Sequence, residues 1–165
     1  MRKALTLLVI FGILWASCKF NPNVQGKGSA VVQGEWQEVP VAYRDDLLQY
    51  TQHQFKFSCD SFYLTLSTTA KTNIYPDSCF KSGKWQEYVK GTYVQSHDTL
   101  FLKGTFTKSN WRQKISGCYR IGQYENVLIV QKSEKDRLYL RSMSQHIPIQ
   151  LSLSKRTVCN PKPLD

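Results

Sequence analysis

Apolar and polar residues alternate along most of the chain after residue 30, a pattern typical of half-buried β-strands. The alternation is cleanest from Ile147 to Leu153, where every second side chain is aliphatic. Phe55 to Leu66 contains two such runs, separated by the polar turn residues Asp60 and Ser61. Further strands are predicted over Gly34 to Val39, Tyr88 to Val94, Leu100 to Phe106, Trp111 to Ile121, Val127 to Val130 and Leu138 to Leu140.

The predicted fold class is all-β, an antiparallel up-and-down barrel of eight or nine strands. Most connections are short, so strands adjacent in sequence should pair, and closing the meander removes its exposed edges. Asp45 to Gln52 predicts one short helix after the first strand. Thr69 to Lys84 is polar, contains Pro76 and Gly83, and predicts a long loop.

The N-terminus has the pattern of an export signal. Arg2 and Lys3 precede an uncharged, mostly apolar run from Ala4 to Trp15, which is shorter than the roughly 20 residues that a transmembrane helix needs. Ala16-Ser17-Cys18 follows and resembles the lipobox of bacterial lipoproteins, with Trp15 where Leu is usual. An alternative is a short core helix that ends at a chance cysteine.

The lipobox resemblance implies removal of residues 1–17 and acylation of Cys18, with chains such as palmitate that hold the protein to membrane lipid. Asn21 to Ala30 is polar and predicts a flexible tether, so that 18–30 links the anchor to a single barrel domain, 31–165. Lys19 follows the acylated residue. By resemblance to enterobacterial lipoprotein sorting, a Lys at this position is not a signal for retention in the inner membrane. We therefore expect the protein in the outer membrane, and the sequence does not determine which leaflet it occupies.

Charge narrows the range of partners. The chain carries +10, and loss of Arg2 and Lys3 with the signal leaves +8, which favours contact with anionic lipid, glycan or acidic partners. There is no dense basic run, so nucleic acid is not expected to be a partner.

Four cysteines remain after Cys18 in an exported chain: Cys59, Cys79, Cys118 and Cys159. An even count predicts two disulfides with three candidate connectivities, and the spacing favours neither a metal site nor a cofactor. Strand parity directs Cys118 out of the barrel, toward the tail that carries Cys159. We therefore expect Cys118–Cys159 and Cys59–Cys79, unless Cys59 is a buried free thiol.

Gly34-Glu35-Trp36 opens the first strand and resembles the G-x-W signature of lipocalins. In that family the Trp plugs the closed end of the barrel and a basic residue of the last strand packs over it. Lys155 and Arg156 are both placed for this role, and Gly34, Trp36 and Arg156 form the expected barrel-end cluster. The alternative is that Trp36 is an ordinary core aromatic.

Most of residues 20–164 resembles a group of small Bacteroidetes lipoproteins of lipocalin-like appearance. The resemblance rests on LLQYT (47–51), FSCDSFYLTL (57–66), YPDSCF (75–80), GTFTK (104–108), KISGCYRIGQY (114–124), SQHIP (144–148) and CNPKPL (159–164). Members of this group often carry the label fumarate hydratase. The chain has neither the mobile loop nor the cluster-binding cysteine spacing of the fumarase classes, so no residue is assigned a catalytic role.

Direct inspection reveals no catalytic motif either. His53, His97 and His146 are far apart, and no nucleophile elbow, zinc-protease or phosphate-loop pattern occurs. Asp98-Thr99-Leu100 resembles the O-glycan acceptor of Bacteroidetes exported proteins, which makes Thr99 a candidate acceptor. The alternative for Thr99 is an ordinary residue at a turn exit.

Three function classes follow from the sequence. The first is an envelope lipoprotein that binds a small apolar ligand or lipid inside its barrel. The second is a structural or protein-interaction lipoprotein with a filled barrel, and the third is a hydratase-type enzyme. Cavity volume should separate the first two, because ligand sites usually measure roughly 300–1,000 Å³.

Overall fold

The computed structural model describes residues 24–163, which form a closed antiparallel barrel. Each strand pairs with the next one along the chain, and the last pairs with the first. The predicted all-β barrel is confirmed. Within the described residues the strands are β1 (Gly34–Glu38), β2 (Gln49–Ser58), β3 (Ser61–Ala70), β4 (Lys84–Ser96), β5 (Thr99–Thr107), β6 (Gln123–Ser133), β7 (Arg137–Ser142) and β8 (Ile149–Lys155).

The helical segments differ from the expectation. Between β1 and β2 there is a 3₁₀ turn, Arg44–Asp46, and β2 already begins at Gln49 because its first residues pair with the end of β3. The one α-helical turn in this part of the chain, α1 (Asp77–Phe80), lies in the predicted polar loop and runs into a second 3₁₀ turn, Lys81–Gly83.

The strand predicted over Trp111 to Ile121 is wrong, because residues 108–122 form the long connection between β5 and β6. Trp111 and Tyr119 have φ of 63° and 66°, and Gly117 and Gly122 are also at positive φ. Backbone in the left-handed region cannot continue an extended strand. The spacing of apolar residues in this segment therefore does not indicate one face of a sheet.

The two ends of the barrel are built differently. Short hairpin turns after β2, β4 and β6 lie at one end, called here the closed end. The longer connections, 39–48, 71–83, 108–122 and 143–148, lie at the other end, called here the mouth. Large apolar side chains fill the interior toward the closed end, among them Trp36, Phe55, Phe57, Phe62, Leu64, Leu100, Leu128, Leu138, Leu140 and Leu151.

The structure contains two disulfides, but the expected connectivity is wrong. Cys59 pairs with Cys159 and Cys79 pairs with Cys118, with Cα atoms 4.7 and 5.5 Å apart. The chain after β8 runs back along the closed end, where the Thr157 hydroxyl donates to the Phe57 carbonyl, and this brings the tail to Cys59. The other two cysteines lie on neighbouring mouth connections, so each disulfide joins elements at the same end of the barrel.

Residues 24–30, expected to belong to a flexible tether, instead contact the closed end. The Gly26 amide donates to the Asp60 carboxylate at 2.8 Å, and the Ser29 amide donates to the Tyr93 hydroxyl at 3.0 Å. Gly28 has φ of 64°, and a Cβ there would lie 1.8 Å from the Cys59 carbonyl oxygen, so only glycine fits. The predicted signal sequence and the predicted acylation site Cys18 lie outside the described residues. Over 24–163, no helix has the length and apolar character to cross a membrane.

Candidate functional site

The closed end is sealed by the predicted barrel-end cluster. The Trp36 indole is buried and donates to the Val32 carbonyl at 2.7 Å. The Arg156 guanidinium lies 5.6 Å from the Trp36 ring centroid, so Arg156 is the basic residue over the ring. Gly34 lets the strand approach β8, because a Cβ there would lie 2.8 Å from both Leu153 Cδ1 and the Lys155 carbonyl oxygen. Side chains fill the interior at this end, so the candidate site is sought in the other half of the barrel.

The mouth half of the interior is polar and contains a chamber of about 420 Å³. More than half of the side chains that line this mouth chamber are polar. The buried and half-buried ones are Thr51, His53, Thr68, Glu87 and Asn126, and the exposed ones at the rim are Gln49, Arg120, Gln123, Glu125, Ser144 and Gln145. The other lining residues are Leu66, Tyr75, Trp85, Phe106 and Tyr124. The volume falls within the usual range for small-ligand sites.

A buried carboxylate organises one wall of the chamber. Glu38, 1% exposed, ends β1; one of its oxygens accepts the His53 backbone N–H at 2.7 Å and lies 2.6 Å from His53 Nδ1. The other oxygen accepts the Tyr50 hydroxyl at 2.5 Å. Burial, followed by the hydrogen bond to Glu38, raises the pKa of Tyr50 well above its usual value. The carboxylate therefore fixes the His53 ring, which faces the chamber, and keeps the Tyr50 phenol protonated.

A second buried carboxylate, Glu87, is held by Arg120. Glu87 is 3% exposed and accepts two guanidinium N–H groups at 2.9 and 2.8 Å and the Arg120 backbone N–H at 3.1 Å. Burial raises the pKa of Glu87, but the hydrogen bonds and charge of Arg120 outweigh burial and leave the pKa below its usual value. Glu87 is therefore ionised, and it draws the 108–122 connection onto the barrel.

The barrel wall has a gap beside this ion pair. β5 pairs with β4 only from Tyr88 onward, so residues 84–87 of β4 are bonded to β3 alone. The 108–122 connection approaches the unpaired edge and leaves a pocket of about 640 Å³, called here the lateral cleft. The lateral cleft shares Thr68, Trp85, Glu87, Phe106 and Arg120 with the mouth chamber. The two spaces are therefore adjacent, with the Glu87–Arg120 pair in the wall that they share.

Aromatic rings hold the mouth connections in place. The Trp85 and Tyr119 rings stack with centroids 5.2 Å apart, and Tyr75 meets both edge-on at 5.4 and 5.2 Å. The Tyr119 hydroxyl donates to the carbonyl of Cys79, next to the Cys79–Cys118 bridge. The 71–83 and 108–122 connections are therefore fixed to each other and to β4.

The other predicted site residue, Thr99, begins β5 beside an exposed turn. It is half-buried, and its hydroxyl donates to the Asp98 carboxylate at 2.9 Å. Of the three histidines, His53 lies in the chamber wall, whereas His97 is exposed in a hairpin turn with φ of 53°.

Sequence reasoning missed Glu38, Glu87 and Arg120, and it did not assign His53 to a site. A usable signal existed for three of them, because Glu38, His53 and Glu87 share strand parity with the buried Trp36, Phe55 and Val89. A polar residue at a core position must be paired when it is buried, which often marks a site. Arg120 carried no such signal, because its segment forms no strand.

Among residues 24–163 no group of three or more His, Cys, Asp or Glu side chains is arranged to hold a metal ion. Compared with known proteins, the chain matches no protein-family model, no curated protein and no solved structure.

Proposed function

We propose that this protein is a lipid-anchored envelope lipoprotein that binds a small polar ligand in the mouth chamber. The observation that carries the proposal is the contrast between the two halves of the interior. Apolar side chains fill the half near the closed end, whereas the mouth half keeps an open space lined by hydrogen-bonding groups.

A barrel with a purely structural role has little reason to keep the inner part of this lining polar, because burying groups such as His53, Thr68 and Glu87 costs free energy unless they are paired. Hydrogen-bond networks among these side chains offset the cost. Some donors and acceptors of the networks face the chamber. Asn126 contacts the hydroxyls of Tyr124, Ser142 and Ser144 at 3.2, 3.1 and 3.5 Å, and both Asn126 and Ser144 line the space. These groups are suited to hydroxyl or amide groups of a ligand.

The lining favours a polar ligand over the apolar ligand expected from sequence, since the apolar part of the interior is occupied by side chains. A hydratase is not proposed. Glu38 is bonded to His53 and Tyr50, and Glu87 to Arg120, so each carboxylate has partners that account for its burial without a catalytic role.

The proposed membrane anchor follows from the lipobox resemblance of the N-terminus. Acylation of Cys18 would hold the barrel at the outer membrane, and the resemblance to small Bacteroidetes lipoproteins supports this placement. Residues 24–30 pack at the closed end, so an anchor attached through them would leave the mouth pointing away from its point of attachment.

The test uses a plug in the chamber. Ser144 is exposed on the 143–148 connection and lines the chamber, so Ser144→Trp should fill the space at little cost in folding. Met143→Trp is the matched control, since Met143 is 62% exposed and lies outside the lining. Full-length protein extracted from membranes is examined by native mass spectrometry for bound small molecules.

We expect wild type and Met143→Trp to retain a bound molecule that Ser144→Trp loses. Retention by all three proteins would place the ligand outside the mouth chamber. If wild-type protein carries no ligand and binds none from a screen of polar metabolites, the filled-barrel interaction protein becomes the better interpretation.

A further inference from the structure

The lateral cleft concentrates positive charge. Its lining includes Lys81, Lys84, Lys108, Lys114 and Arg120, against the single carboxylate of Glu87. That carboxylate is already paired with Arg120. Across the described chain, none of the four lysines forms an ion pair. The cleft therefore holds four cations without a protein counter-charge.

These cations are brought together by the tertiary structure. Lys81 belongs to the 71–83 connection, Lys84 to β4, and Lys108 and Lys114 to the 108–122 connection. The Cys79–Cys118 bridge and the ion pair of Arg120 with β4 hold the three elements in place around the cleft. Like charges held together repel each other, an arrangement that costs free energy unless an anion offsets it.

Lys114 is the least exposed of the four lysines. It is partly buried, donates to the Cys118 carbonyl, and its ammonium lies 5.5 Å from the Tyr119 ring centroid. Burial lowers the pKa of Lys114, and the charge of Arg120 lowers it further, against the opposing effect of Glu87. A negative group in the cleft would favour the charged amine and restore the pKa.

We propose that the lateral cleft binds the anionic groups of a small ligand that carries two or more phosphate or sulfate groups. The inference rests on the proposed function, because the cleft and the chamber adjoin at the Glu87–Arg120 pair and share five lining residues. The cleft volume of about 640 Å³ accommodates such a group together with part of a polar body. Hydroxyls of Ser67, Thr69, Ser109 and Ser116 lie among the lysines and can donate to phosphate or sulfate oxygens.

The polar chamber and the basic cleft would bind different parts of the same ligand. Neutral hydrogen-bonding groups of the ligand would lie in the chamber, and its charges would lie among the lysines. A cationic ligand is disfavoured, since in the cleft lining the only carboxylate is neutralised by Arg120.

The experiment measures binding of soluble and membrane-borne anions to the purified full-length protein. The probes are inositol hexakisphosphate, a sulfated heparin disaccharide, the unsulfated disaccharide, and phosphatidylcholine vesicles with and without phosphatidylglycerol. Lys84→Gln/Lys108→Gln removes two exposed cleft cations. Lys90→Gln/Arg141→Gln removes the same charge from exposed positions outside the cleft lining, with Lys90 on the same strand, about 20 Å from Lys84.

We expect wild type and the control variant to bind the phosphate or sulfate probes, with affinity that falls as salt is added. The cleft variant should bind about tenfold or more weakly, because two charge-assisted contacts are lost. The unsulfated disaccharide should bind weakly to every protein. Response to either soluble probe supports a free ligand with several anionic groups. Response to phosphatidylglycerol vesicles alone would overturn the inference, because that headgroup carries a single phosphate.

Equal weakening in both double variants would overturn the inference, since net charge alone would then explain binding. An unchanged affinity in the cleft variant would also overturn it. Thermal unfolding of each variant excludes a folding defect. The plugged Ser144→Trp variant separates the two proposals. If wild type retains a neutral molecule that this variant loses, the chamber function stands and the anionic class is wrong.

Discussion

At the scale of single residues, the informative positions are polar side chains at inward-facing strand positions. Glu38, His53 and Glu87 occupy positions where the strand pattern calls for apolar residues, and each is almost fully buried. Each is also hydrogen-bonded, Glu38 with His53 and Tyr50, and Glu87 with Arg120. Such pairs do little for stability compared with apolar packing, and their retention is better explained by a site.

The Glu87–Arg120 pair gives a prediction with a defined pH dependence. Arg120→Gln leaves a buried carboxylate without its counter-charge and should lower the free energy of unfolding by about 3 kcal/mol at neutral pH. In the wild type the folded-state pKa of Glu87 lies below its ordinary 4.5, so its contribution is present above that pH and is lost as pH falls through the folded-state value.

In Arg120→Gln, burial is opposed only by the hydrogen bonds of the Trp85 indole and the residue-120 amide, and we expect the pKa of Glu87 to rise above its unfolded value. Protonation of Glu87 in the folded variant then removes the buried, unpaired charge. The destabilisation should therefore become smaller as pH falls from neutral toward 5. Urea unfolding at several pH values measures this trend. Arg112→Gln, exposed on the same connection, is the control. A destabilisation that is constant with pH would show that Glu87 is not the cause.

At the scale of elements, each disulfide secures one end of the barrel. Cys59–Cys159 joins the β2–β3 turn to the tail, and Cys79–Cys118 joins two mouth connections. The first bridge supports the sealed end, where Trp36 and Arg156 pack. The second holds the walls of the lateral cleft together. Removing either one should therefore affect a different region of the molecule.

We expect Cys79→Ser/Cys118→Ser to destabilise the barrel by about 4 kcal/mol, the chain-entropy value for a sequence separation of 39. Cys59→Ser/Cys159→Ser, with a separation of 100, should cost about 5 kcal/mol. Amide hydrogen exchange locates the effects. The first variant should lose protection in 71–83 and 108–122, and the second in 24–30 and 156–163. The same pattern of lost protection in both variants would contradict this division.

At the scale of the whole molecule, the barrel is closed, filled at one end and open at the other. The segment that leads into β1 packs against the closed end, where the Gly26 amide bonds Asp60. The positively charged cleft opens beside the mouth, at the other end of the barrel. This polarity suits a binding domain anchored through its N-terminus, with its site directed away from the anchor.

The anchor is tested by Cys18→Ala. We expect this variant to remain unprocessed or to become soluble in the periplasm, because an acyl-modified Cys18 is the proposed attachment. Membrane fractionation and mass spectrometry of the mature N-terminus measure the result. Lys90→Gln/Arg141→Gln, with both substitutions at exposed positions of the barrel, is the control and should fractionate like wild type. If Cys18→Ala fractionates with membranes like wild type and has another N-terminus, the lipoprotein proposal is wrong.

The fold could be predicted because alternation is a local property that each strand displays by itself. Runs such as Phe62 to Leu66 and Ile149 to Leu153 show the period of two, and short turns force neighbours to pair. The pattern gave a wrong strand at 108–122. There an aromatic ring packs against another mouth connection, and residues at positive φ interrupt the extended backbone. The pattern also failed at Gln49 and Tyr50, where pairing with β3 overrides a helical pattern.

The chain's alternation by itself determined the all-β class, the antiparallel order and the apolar interior, since burial of one strand face depends only on which residues lie two apart. Tertiary structure decided the rest. Disulfide partners depend on which end of the barrel a residue reaches, and this placed Cys159 beside Cys59. The site depends on closure as well, because Glu38, Glu87 and the cleft lysines come from separate elements that meet only when β8 pairs with β1 and the mouth connections fold over the end.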